Sequence, residues 1–410
     1  MPMWDIRNIT EADDELFRAR TSQAFGRDAD MGEAALERFR AIFDRDRTFA
    51  AFDGDDIVGT VTAFSLGLTV PGGVVVPMGG TTVVSVKSTH RRRGILRALM
   101  GRHLAEIDDR GEPLAGLWSS EGSIYSRFGY GPATCRHVME ASAPSLSFVV
   151  GPDPGTTIRM VDPDKAGPVI REVYETARLA TAGALTRSEA WWNNRILADV
   201  ESQRGGKSAQ RYVVAEREGT PTGYAIYRQN SKWDDFVATG DISVEEVISI
   251  DPAAHREIWR FLAEIDLFPN VAYWNLPVDD PLPQMVSDQR RVRRSVSDSL
   301  WVRLMDVPSA LEARTYESDA VVTFGVSDPS RPVPAQGFRL EVVAGVGHCV
   351  PLSGDPELTM PADVLGHLYL GGGSATAMAG AGRIDGDPAA VGDFHRLFRT
   401  SQAPWCPEVF

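Results

Sequence analysis

The strongest constraint on this chain is a pattern that occurs twice. Residues 84–108 read VSVKSTHRRRGILRALMGRHLAEID, and residues 248–266 read ISIDPAAHREIWRFLAEID. Each copy runs from an apolar strand through a short turn and a His-Arg pair into a helix. Each ends on an identical Leu-Ala-Glu-Ile-Asp, Leu104–Asp108 and Leu262–Asp266. Strand, turn and helix in this order are α/β in character, and their recurrence predicts a degenerate internal duplication. From its His to the shared pentapeptide the second copy is seven residues shorter, a loss of about two helical turns.

The flanking sequence extends both copies. In the first, Glu11–Ala24 and Met31–Phe43 are helical in pattern, and Thr48–Phe52 and Ile57–Phe64 alternate around the turn Asp53-Gly54-Asp55-Asp56. Val74–Val76 and Thr81–Val86 read as short strands, Gly94–Arg110 as a helix, Leu114–Trp118 as a strand, Ser123–Arg127 as a short helix and Thr134–Ala141 as a strand. The second copy offers helices at Pro163–Leu179 and Ser188–Val200, then strands, a helix over Pro252–Ile265 and a strand at Val271–Asn275. Two Pro-rich stretches, from Ser142 and from Asp279, read as linkers. They divide the chain into residues 1–150, 151–288 and 289–410, the last α+β in pattern.

Composition narrows the function. A net charge of −14 and a pI near 5 argue against nucleic acid and anionic membranes as partners. No apolar run approaches the ~20 residues of a membrane span, and the acidic start MPMWDIRNITEADDELF lacks the features of a signal peptide. Three distant cysteines, Cys135, Cys349 and Cys406, make no disulfide framework, so a reducing cytoplasm is expected. The seven histidines are scattered, the sequence has no HExxH and no CxxC, and no metal is expected. Gly205-Gly206-Lys207-Ser208 lacks the first glycine of a P-loop and reads as a loop. Arg290–Arg294 reads as a salt-bridged linker.

Chemistry enters at Val84–Leu96. A strand runs into Arg91-Arg92-Arg93-Gly94-Ile95-Leu96 and then a helix. The free N–H groups and positive dipole end of a helix start hold pyrophosphate well. A glycine lets the backbone approach, and arginines add charge-assisted hydrogen bonds. Alone, such a stretch is more often a solvated basic surface. Downstream, however, lies Glu121-Gly-Ser-Ile-Tyr125-Ser-Arg-Phe-Gly129-Tyr130. The chain then ends on Pro404-Trp-Cys-Pro-Glu-Val-Phe410, a stiff tail whose Trp405, Val409 and Phe410 favour burial.

Strand, R-x-x-G-x loop, helix, strand and Y-x-x-x-G-[FY] together resemble the GCN5-related N-acetyltransferases (GNAT). With Ala190–Trp192, Leu368–Gly372, Ala381–Ile384 and the PWC…F tail following in order, the whole chain resembles the Eis (enhanced intracellular survival) family of aminoglycoside N-acetyltransferases. That resemblance implies an N-terminal GNAT domain, a degenerate second GNAT domain and a sterol-carrier-protein-like α+β domain. It implies acetyl-CoA as co-substrate, amines of aminoglycosides acetylated at several positions by direct attack, and a homohexamer. Val84, Ser85 and Val86 would meet the pantetheine arm. Arg91, Arg92, Arg93, Gly94, Ile95, Leu96 and Arg97 would hold the pyrophosphate, with Leu96 bulkier than the family's usual Gly or Ala. Ser120 and Glu121 would stand where the next strand splays. Tyr125 matches the general acid, and the carboxylate of Phe410 matches the proton acceptor. For a polycationic substrate, Asp28 and Glu408 are the acidic candidates, with Phe25 and Trp191 or Trp192 as aromatic ones. His255-Arg256-Glu257-Ile258 has no such loop, so one acetyl-CoA per chain is expected. A protein-lysine or polyamine acetyltransferase, and a non-catalytic lipid or acyl-CoA carrier, remain alternatives.

Overall fold

The computed structural model describes residues 4–27, 32–330 and 335–410. The first segment forms β1 (Asp5–Asn8), α1 (Asp14–Ala24), α2 (Glu33–Ile42), β2 (Thr48–Asp53), β3 (Asp56–Thr69), β4 (Val75–Val86), α3 (Ile95–Asp109), β5 (Leu114–Trp118), α4 (Gly122–Tyr125), β6 (Gly131–Pro132) and β7 (Cys135–Ser142). The second forms β8 (Thr156–Val161), α5 (Pro163–Leu179), α6 (Glu189–Trp191), β9 (Arg211–Arg217), β10 (Thr220–Asn230), the small hairpin β11 (Trp233–Asp234) and β12 (Val237–Ala238), β13 (Asp241–Ser249), α7 (Pro252–Ala263) and β14 (Asn270–Pro277). Then come α8 (Leu282–Met285), β15 (Arg293–Asp298), β16 (Leu300–Leu304) and α9 (Val307–Ala313).

Two seven-stranded sheets result, ordered β1-β2-β3-β4-β5-β16-β6 and β8-β9-β10-β13-β14-β7-β15. Their orders correspond strand for strand, with β4-α3-β5 matching β13-α7-β14. Both of these connections are parallel crossovers. The predicted shortening takes a different form, since α3 has 15 residues and α7 has 12. The larger loss is the connection: Lys87–Gly94 before α3 shrinks to Ile250-Asp251 before α7. The two His-Arg pairs are not equivalent, because His90 precedes α3 while His255 lies inside α7.

The sheets cross the expected boundaries at 150 and 288. β7, from the first segment, pairs with β14 of the second sheet, and β16, beyond residue 288, pairs with β5 of the first. Thr134 and Ser299 stand at the crossing and share a 2.6 Å hydroxyl hydrogen bond. The stretch from Asp279 is not an open linker, because Leu282, Met285 and Val286 are buried in the second core. Of the arginine run, Arg293 and Arg294 belong to β15, paired with β7. Ser188–Val200 is not one α-helix: after α6 it widens to a π-turn over Trp192–Ile196. Val75 and Val76 join Thr81–Val86 in one strand, β4, kinked by a bulge, while Val74 precedes it. The third sheet comprises β17 (Ala320–Ser327), β18 (Gln336–Val343), β19 (Val346–Pro351), β20 (Leu358–Pro361) and β21 (Asp385–Gly386), covered by α10 (Ala362–Leu368), α11 (Ala375–Gly380) and α12 (Pro388–Phe398). Its core is continuous with Leu66, Met78 and Trp191 of the first two units. The third unit is therefore packed onto the first two rather than tethered to them.

Candidate active site

β4 pairs with β3 over nearly its whole length, but with β5 only where Met78–Gly80 meets Leu114–Gly116. Past Gly80 and Gly116 the two parallel strands part. β4 carries one extra residue at a bulge, where Val83 adopts a φ of 53°. The half-buried Val84, Ser85 and Val86 follow it, their β5-facing edge left without a strand beside it. Unpaired strand edges of this kind accept an extended amide-containing arm.

At the end of β4 the loop to α3 is pinned by its base. Lys87 Nζ lies 2.5 Å from Asp56, and His90 Nε2 lies 3.0 Å from Asp53. Arg92 and Gly94 then take left-handed φ values of 63° and 84°. No side chain caps α3, so the N–H groups of Ile95, Leu96 and Arg97 are the free amides of a helix start. Arg91, Arg92, Arg93 and Arg97 are exposed around them, while Ile95 is buried in the α3 core and Leu96 packs partly against it. Free amides, a helix dipole and four guanidinium groups fit a pyrophosphate.

β5 leads into Ser120 and Glu121, both exposed, and then α4. Tyr125 closes that helix and is 6% exposed. Burial pushes its phenol above the ordinary 10, opposed by a hydrogen bond with Ser120. Tyr130 stands edge-on to it at 6.3 Å between ring centroids. Tyr130 is fully buried, its hydroxyl 2.9 Å from Thr81 Oγ1, which is in turn 2.8 Å from His103 Nε2. Of the two phenols, Tyr130 is engaged in this internal chain.

The tail arrives at the same place. Phe410 lies against Gly80, the last β4 residue paired with β5. The Phe410 ring packs with Leu66 on one face of β4, while the next residue, Thr81, turns to the other face and meets Tyr130, which stands against Tyr125. Trp405 and Cys406 are buried, whereas Val409 is 39% exposed, contrary to the expectation for this apolar residue. Its carbonyl accepts a hydrogen bond from Arg195.

Glu408 does not face a substrate. Its carboxylate is buried, one oxygen paired with Arg187 Nε and the other accepting the Trp191 indole N–H at 2.9 Å. The same bond occupies the polar atom of Trp191, whose ring stands edge-on to Phe64 at 5.2 Å. Phe25, at the end of α1, is exposed and open to a ligand. Asp28 lies outside the described residues. Sequence reasoning missed Arg187, Glu246 and Asn275, which hold the tail; nothing local in their sequence marks them.

The fold and this opening define a GNAT acetyltransferase. The acetyltransferase (GNAT) domain family matches residues 5–133 and again 183–304, and a sterol carrier protein domain matches residues 307–407. The chain is 38% identical to an uncharacterised N-acetyltransferase of Streptomyces avermitilis over 99% of both chains. It is 36% identical to N-acetyltransferase Eis of Mycobacterium bovis, over 81% of this chain and 80% of that one. The crystal structure of Eis1 from Mycobacterium abscessus superposes with a TM-score of 0.84 at 30% identity, covering 99% of this chain and all of the other. The chain belongs to the Eis family and is an N-acetyltransferase with two GNAT domains followed by a sterol-carrier-like domain, which sets aside the non-catalytic alternative.

Proposed function

We infer that this chain transfers the acetyl group of acetyl-CoA directly to amino groups of aminoglycosides, at more than one position per molecule. The observation that carries the reading is the seat of Phe410 at Gly80, where β4 and β5 part. Acetyl-CoA supplies an activated thioester. Arg91, Arg92, Arg93, Arg97 and the amides of Ile95, Leu96 and Arg97 would hold its pyrophosphate, and the edge of Val84–Val86 its pantetheine.

An ammonium has no lone pair, so the acceptor amine must first lose a proton. In this reading the Phe410 α-carboxylate would attract the ammonium and receive that proton. A free α-carboxyl has a pKa of ~3.5, so its main contribution would be to attract and orient the cationic amine. Tyr125 keeps its proton at neutral pH and would deliver it to the departing sulfur. Direct attack requires no nucleophile on the protein. The acidic chain and the exposed Phe25 ring favour a polycation with apolar faces.

The test is CoA release, followed with a thiol reagent, using neomycin and kanamycin beside spermidine and a lysine peptide. Turnover with the aminoglycosides and successive acetyl additions in the mass spectrum support the reading. Turnover confined to spermidine or the peptide overturns the substrate assignment.

A further inference from the structure

The second sheet repeats the opening of the first. β13 pairs in parallel with β14 only from Asp241 to Val244, and like β4 it carries one extra residue at a bulge. Beyond Val244 and Tyr273 these strands part as well. Here the chain's own tail fills the gap. On the β14 side, Trp405 Nε1 donates to the Asn275 carbonyl at 3.1 Å, and Asn275 Nδ2 donates to the carbonyls of Cys406 at 3.1 Å and Pro407 at 3.4 Å. On the β13 side, Trp405 packs with Ile248, and Glu408 joins Glu246 through Arg187. The following helix is closed too. Asp251 caps α7 by accepting from Ala253 N at 3.0 Å, ahead of Pro252, where α3 has free amides. A carboxylate thus occupies the place corresponding to the anion cradle of the first domain.

Arg187 is fully buried and clamped from every side. Its guanidinium lies over Tyr174 at 3.6 Å and over Trp192 at 4.5 Å, between the carboxylates of Glu246 and Glu408. The Tyr224 hydroxyl donates to Glu246 at 2.5 Å, and the Trp191 indole to Glu408. Phe410 lies two residues beyond Glu408, so its Cα is tethered within about 7 Å of the Glu408 Cα.

We propose that the parted strands of the second domain are the seat of the C-terminal tail, and that Glu408, held by Arg187 and Glu246, is a positioning residue for the Phe410 carboxylate. The proposal rests on the reading of Phe410 given above. It assigns the degenerate domain a role in the reaction: it presents a group to the first domain's site instead of binding a second acetyl-CoA.

Glu408→Gln tests this in the full chain. The amide keeps the shape and the bond from Trp191 but loses the charge that Arg187 holds. With acetyl-CoA and neomycin, kcat is expected to fall about tenfold with the acetyl-CoA KM unchanged. In a chain lacking Phe410 the same substitution is expected to cause no further loss. Release of Phe410 from the native protein by carboxypeptidase A, which needs no acetyl acceptor, is expected to quicken about tenfold as the tail is loosened. Losses that multiply in the double variant would show Glu408 acting independently of Phe410 and overturn the proposal, as would unchanged kcat and release. If deleting Phe410 leaves kcat intact, the reading of its carboxylate fails and the catalytic half of the proposal with it, while the release rate still decides whether Glu408 seats the tail.

Discussion

Phe410 Cε2 stands 3.2 Å from the point where a side chain on Gly80 would begin. Leu66 Cδ1 is nearer still, at 2.6 Å, but it is the end of a flexible side chain. Gly80→Ala therefore presses on both, and the terminal residue has the freer end. Because misplacing a reacting group by a fraction of an ångström is costly, kcat is expected to fall about tenfold while acetyl-CoA still binds. Steady-state kinetics decide, and an unchanged kcat would separate the Phe410 ring from the chemistry.

Tyr125→Phe removes the proton but keeps the ring against Tyr130. The expected loss in kcat is about 10²–10³-fold with little change in either KM. The raised phenol pKa fixes the sign of the pH dependence. A general acid acts while protonated, so Tyr125 limits the rate only on the alkaline side, above its ordinary pKa of 10. An alkaline loss of kcat near neutrality that vanishes in Tyr125→Phe would contradict this assignment.

Gly94 combines a φ of 84° with open space around its missing side chain. Gly94→Ala meets no clash, yet it must hold a left-handed conformation at a cost of about 1 kcal/mol or more. The acetyl-CoA KM is expected to rise about tenfold, and further in Arg91→Ala/Arg92→Ala, with kcat largely kept. Calorimetry is expected to give one acetyl-CoA per chain, because Asp251 already caps α7. Two bound per chain would contradict the account of the second domain.

His103 sets an acid limit on stability. It is fully buried, and desolvation together with the Arg47 charge lowers its pKa from 6.5 to about 3. The folded protein keeps it neutral, whereas the unfolded chain takes up a proton below 6.5. Stability is therefore present in full above pH 6.5 and is lost as the pH falls toward 3, by about 1.4 kcal/mol per unit. Denaturant titrations between pH 7 and 4 should show a shallower loss for His103→Gln than for the parent. Parallel losses would place the acid sensitivity elsewhere.

The first domain's half of the site was legible because its signals are local. A strand, an Arg-rich loop and a glycine before a helix lie within Val84–Arg97, and Tyr125 follows at short range. The exchange of β7 and β16 between sheets was not legible, because strand pairing at this separation leaves no periodicity in either partner. Glu408 read as a substrate-facing acid because a polycationic substrate calls for carboxylates, and Glu408 lies two residues from the chain end expected in the site. Its burial depends on Arg187, 221 residues away, which no spacing rule connects to it. Val409 shows the opposite error, an apolar residue left exposed beside the buried Glu408.

The most direct test of the central claim is to add one glycine after Phe410. The ring and every contact of residues 404–408 can stay, while the carboxylate moves about 3.5 Å along the chain. CoA release from acetyl-CoA with neomycin is compared for the two proteins, with acetyl-CoA affinity measured in parallel. The account predicts that the extended chain binds acetyl-CoA normally and loses turnover about a hundredfold or more. Equal turnover in both proteins would contradict it, and would reduce the buried tail to packing.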